Sequence, residues 1–164
     1  MAIQAQDAGD YDKALIWLPS ISRPYWPEDI IDRRPGIRQR ALNRVCRVHM
    51  KAKTGNKSEA LDEIEKTLSR ERQEFERTSK LNSETKVEPP KPDPNLMLTY
   101  GLLLADAERY VDAIEAFGYA FADPDQLEYE ADKEQGQQSL DACREKIRLR
   151  VDRYRQQLKD LEGK

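Results

Sequence analysis

The side chains best placed to do chemistry are cations. Arg40, Arg44, Arg47 and Lys51 stand at i, i+4, i+7 and i+11, an arrangement that sets all four along one side of a helix. They belong to a stretch, residues 33–57, that holds nine Lys and Arg and no Asp or Glu. This stretch carries +9 in a chain of net charge −3, so the remainder carries −12. Like charges at helical spacing repel one another by roughly 0.2–0.5 kcal/mol per pair, so the stripe brings no local benefit. Two readings follow. Either acids within the fold neutralise it, with Asp62, Glu63 and Glu65 the nearest, or it docks an acidic peptide, a partner's acidic helix or nucleic acid. An acidic protein is the better ligand: the chain has a pI near 5.4 and no stacking aromatics beside the cations. If the stripe is open, replacing Arg44 and Arg47 by Glu removes binding and leaves folding intact.

Catalytic constellations find little to build on. The only histidine, His49, lies between Val48 and Met50 inside the same helix and reads as a packing residue. Cys46 and Cys143 fall among apolar helical positions, belong to no CxxC pattern, and read as reduced core thiols in a cytoplasmic or nuclear compartment. Neither the GxGxxG nor the GxxxxGK[ST] phosphate-cradling loop occurs. A metal site would have to be made of carboxylates alone. A protein that binds rather than catalyses is therefore expected, with no cofactor and no metal. Tyr25 and Trp26, set between Pro24 and Pro27, are a second lead. They serve either as exposed interface anchors or as a plug between neighbouring helical pairs.

The elements that must carry these residues are helices. Charged residues make up 36% of the 164-residue chain and aromatics 7%, a composition suited to amphipathic helices with thin cores. No run of alternating β-branched residues supports a sheet, and no apolar stretch reaches the roughly 20 residues that span a bilayer. A pattern of turn, then x-x-x-Ala-Leu/Ile, recurs three times: Gly9 to Leu15, Gly55 to Leu61 and Glu108 to Ile114. The alanines Ala14, Ala60 and Ala113 are 46 and 53 residues apart.

The third copy is the most complete. Asp93-Pro94 offers a cap and a first-turn proline, residues 95–105 read as one helix, and residues 111–122 as the next. Gly101, Ala113 and Ala120 are small where two helices must approach, and Tyr100 and Phe117 are large beside them. With Tyr110 in the turn and Pro124 at the end, this resembles the tetratricopeptide repeat. The second copy, with helices over 37–52 and from Asn56 onward, lacks the mid-helix glycine and the turn aromatic. The first copy has only Met1 to Ala8 before its turn, as if the chain began inside a repeat.

The expected fold is all-α: an α-solenoid of antiparallel helical hairpins with a long C-terminal capping helix. Residues 1–77 hold repeats one and two with a Pro-rich insertion at 19–36. Residues 78–93 form a Pro-rich flexible linker, 94–124 the third repeat and 125–164 the cap. Leu140, Ile147, Val151, Tyr154, Leu158 and Leu161 form the cap's apolar stripe, which seals the last repeat or pairs with a partner helix.

The resemblance implies an adaptor or scaffold within a larger assembly, holding a peptide or helix in the groove of the first helices of each repeat. Asn95, Leu98, Thr99, Leu102 and Ala105 would line that groove, beside Asn43, Arg47 and Met50. The Lys/Asn/Lys/Arg carboxylate clamp of chaperone-binding members does not map here, because Leu98 and Leu102 stand where polar residues are wanted. That argues against an Hsp70/Hsp90 adaptor. Self-association through the C-terminal stripe is a further alternative, and membrane insertion is not expected.

Overall fold

A computed structural model describes residues 2–18, 35–81, 89 and 91–162. The described residues are helical, with seven α-helices and no strand. The helices are α1 (Ala2–Asp7), α2 (Tyr11–Trp17), α3 (Pro35–Lys51), α4 (Lys57–Leu81), α5 (Pro94–Asp106), α6 (Tyr110–Ala120) and α7 (Glu130–Glu162), with one 3₁₀ turn at Pro124–Gln126. Tyr25 and Trp26, and most of the insertion that carries them, lie outside the described residues.

Consecutive helices pack in pairs: α1 with α2, α3 with α4, α5 with α6. The pairs then stack. Helix α2 packs on α3, both α3 and α4 pack on α5, and both α5 and α6 pack on α7. Helix α5 is the centre of this stack, and its sequence says why. It is apolar on every side, so it must be covered on every side. Nine of its residues are buried, including Leu96, Leu98, Leu102, Leu103 and Leu104. The Asp93 carboxylate starts it by accepting from the Asn95 and Leu96 amides at 3.0 and 3.1 Å, with Pro94 at the first turn.

The small–large pattern over residues 100–120 packs as its spacing predicts. Ala113, Phe117 and Ala120 are fully buried. A Cβ on Gly101 would come within 2.7 Å of the Phe117 ring, so only glycine lets α5 and α6 approach this closely. Tyr110, expected in the turn, is instead the first residue of α6.

Two of the three turns are alike in detail. In the α1–α2 turn the amides of Ala8, Gly9 and Asp10 donate to carbonyls four, three and five residues back. In the α5–α6 turn Ala107, Glu108 and Arg109 do the same. Both turns place their middle residue at positive φ, Gly9 at 76° and Glu108 at 59°. The α3–α4 turn differs. Its glycine, Gly55, serves close approach: a Cβ there would lie 1.9 Å from the His49 carbonyl oxygen.

Three expectations need correction. Helix α4 runs to Leu81, four residues into the segment read as linker, because residues 57–81 contain neither Gly nor Pro to break it. Thr78 and Ser79 meanwhile donate their hydroxyls to the Glu74 and Glu76 carbonyls. Trp17, a large apolar residue on the second helix of the first copy and so expected in the core, is 47% exposed. The cap seals the stack only along its first half, since every described side chain from residue 148 to 161 is exposed.

Candidate interaction surfaces

The basic stripe is divided by the fold. Arg40 and Arg44 are exposed, whereas Arg47 is buried and Lys51 half-buried. Arg47 Nε donates to Asp132 Oδ2, and Lys51 Nζ donates to Asp132 Oδ1. Asp132 stands in the first turn of α7 and is itself buried. The Arg47 guanidinium lies 3.6 Å from the Tyr129 ring centroid, and Tyr11 of α2 approaches both cations at 5.7 Å. The neutralising acid is therefore Asp132, 85 residues from Arg47, and not the nearby carboxylates. Among those, Glu63 pairs with Lys66, and Glu65 accepts from Arg109 and from the Tyr100 hydroxyl. Burial and the neighbouring Glu65 push the Tyr100 hydroxyl up to about 12.

The groove expected from the first helices of each repeat is closed. Asn43, Asn95, Leu98, Thr99 and Leu102 are all buried, so none of them faces a partner. The Thr99 hydroxyl donates to Asn43 Oδ1 at 2.6 Å, tying α3 to α5. Asn95 bonds the chain that leads into α7: its amide nitrogen donates to the Gln126 carbonyl at 3.0 Å and its Oδ1 accepts from the Glu128 N–H at 2.8 Å. Gly136 of α7 lies over Leu98, close enough that a Cβ would sit 2.4 Å from Leu98 Cδ1. The apolar groove residues are covered by α7 because an exposed row of leucines on α5 has a large transfer cost. Ala105 is half-buried at the end of the row.

His49 acts on the turn. Its Nδ1 accepts the Asn56 N–H at 3.1 Å, which requires the neutral ring. Burial holds its pKa below the ordinary value against the opposing pull of Glu59. Cys46 and Cys143 are buried free thiols, each pushed up by burial, and Cys46 Sγ lies 3.6 Å from the Ala60 carbonyl. Among the described residues no group of three or more His, Cys, Asp or Glu is arranged to hold a metal ion.

Beyond the packed body, α7 carries five of the ten exposed large hydrophobic side chains among the described residues. The helix has 33 residues, about 50 Å at 1.5 Å per residue. Leu140 and Cys143 are buried against the body, and Ile147 is half-buried. Arg150 reaches back to the body, its guanidinium 5.1 Å from the Tyr110 ring centroid. After it Val151 is 41% exposed, Tyr154 66%, Leu158 60% and Leu161 69%. The sequence had marked this stripe but not where its cover ends, which depends on the length of α5 and α6.

No family model, curated protein or solved structure matches this chain. Among the described residues, no helix is long and apolar enough to cross a membrane.

Proposed function

We propose that this protein is a helical-repeat interaction module of the tetratricopeptide type that acts by docking a partner protein and not by catalysis. Three features support the repeat reading: the stacking order of the helical pairs, the identical hydrogen bonding of two turns, and the Gly101–Phe117 close packing. Contact with the partner belongs to the distal part of α7. The observation that carries this is the exposed stripe of Val151, Tyr154, Leu158 and Leu161, which no described part of the chain covers. Exposed apolar patches that persist on a folded surface mark interaction sites.

A chain ending at Arg150 tests the proposal. It is expected to keep the wild-type melting temperature and to lose partner capture from cell extract, with and without nuclease. Equal capture by both chains would refute the role given to α7. A second reading rests on Arg40 and Arg44, which are exposed on α3 and make no ion pair among the described residues. They suit an acidic protein or nucleic acid. Steep salt dependence of binding, removed by Arg40→Glu with Arg44→Glu, would favour that reading.

A further inference from the structure

We propose that the occupant of the α7 stripe is an amphipathic helix from a different protein, with an apolar seam and acidic residues on both flanks. The inference rests on the reading of α7 as the docking element and adds the partner's chemistry. It begins from continuity. The face of α7 that packs on the body, through Gly136, Leu140, Cys143 and Ile147, is the same face that continues as Val151, Tyr154, Leu158 and Leu161. From Ile147 the steps are four, three, four and three residues. This is the spacing of a two-helix seam, in which alternate side chains insert between those of a facing helix. The seam spans about 21 Å at 1.5 Å per residue, a length that suits a partner helix of two to three heptads.

Charge selects among helices. Over residues 144–162 there are seven Lys and Arg and four Asp and Glu, a net +3. The residues flanking the seam, at the positions that meet a facing helix, are Arg148, Arg150, Arg155 and Gln157, followed by Glu162. The acids Glu145, Asp152 and Asp160 stand farther from the seam. Arg148 and Arg155 reach Glu145 and Asp152 only through exposed pairs three residues apart, which exchange readily. A second copy of this chain fits poorly. In a parallel pair Arg150 meets the other copy's Arg155, and in an antiparallel pair spanning the seam Arg155 meets its own counterpart. Acidic flanks instead meet a cation at each of these places.

Two synthetic three-heptad peptides with the same leucine seam test this, one with Glu and the other with Lys at the flanking positions. Like-charged flanks keep each peptide from pairing with itself. Titrated into the full chain at low salt, the Glu peptide is expected to bind at least about tenfold more tightly than the Lys peptide. Arg148→Glu with Arg155→Glu should reverse the preference, and Leu158→Glu should abolish binding of both without loss of helical signal from the body. Equal or tighter binding of the Lys peptide overturns the charge assignment and leaves the docking role of α7 standing. A concentration-dependent dimer that disappears in Leu158→Glu overturns it in favour of a second copy. Failure of both peptides, with the chain monomeric throughout, overturns it together with the role of the stripe.

Discussion

Asp132 holds two cations, and among the described residues neither Arg47 nor Lys51 makes an ion pair with any other carboxylate. The side chains of Asp132 and Arg47 are 5% and 7% exposed, so removing the carboxylate strands a guanidinium away from water. Breaking a buried pair in this way costs about 3 kcal/mol or more. Asp132→Asn should therefore lower the denaturant midpoint by the equivalent of about 3 kcal/mol. Arg47→Glu should be worse, because it sets a second carboxylate against Asp132. This reverses the expectation drawn from an open stripe, in which Arg47 was freely replaceable. His49 supplies a pH dependence whose sign is fixed. Its folded pKa lies below the unfolded value of 6.5, so the unfolded chain takes up the proton first. Its contribution is fully present above pH 6.5 and is lost as pH falls through that value toward the folded pKa. His49→Gln, which keeps an acceptor for the Asn56 amide but does not titrate, should flatten the melting-temperature profile across this range.

At the scale of elements, glycines set how closely the helices approach. Gly55 faces the backbone of His49, and a backbone cannot move aside as a side chain can. Gly101 faces the ring of Phe117, which is fully buried and held by its neighbours. Overpacking of this kind costs about 1–3 kcal/mol, and occasionally more. Gly55→Ala should be the more damaging of the two, Gly101→Ala should still lower the melting temperature, and Gly118→Ala, where nothing lies within 4 Å, should not. Thermal melts of the three variants test the order. A buried polar link adds to the same joints. Gln39 of α3 donates to Glu71 of α4 and accepts from the Asp93 amide at the start of α5. Burial pushes the Glu71 carboxyl up, against the hydrogen bond from Gln39 and the nearby charge of Arg38.

At the scale of the whole molecule, the two halves of α7 do different work. The first half completes the core: Asp132 is fastened to α3, Gly136 lies on Leu98, and Leu140 and Cys143 join the main cluster. The second half extends past the body and is stabilised by local pairs such as Arg148–Glu145 and Arg155–Asp152. Such exposed pairs give about 0.2–0.5 kcal/mol each. Stability and binding are thereby separable. The chain ending at Arg150 should unfold at the same denaturant concentration as the whole chain, while its helical signal falls in proportion to the residues removed. A large fall in the midpoint would show that the distal helix packs on the body.

The helices, the pairing of α5 with α6 and the apolar stripe of α7 are legible in the chain alone. These depend on local spacing: small residues at Gly101, Ala113 and Ala120, a cap at Asp93-Pro94, and steps of three and four along one helix. Tertiary structure alone decided which surfaces stay open. Nothing near Arg47 in the chain announces Asp132, since a carboxylate in the first turn of a helix ordinarily serves that helix. Nothing near Leu98 announces Gly136. Both contacts depend on α7 packing back on α5 and α6 with its first turn beside α3, an arrangement that buries the expected groove, leaving Arg40 and Arg44 exposed on α3 and the distal half of α7 uncovered.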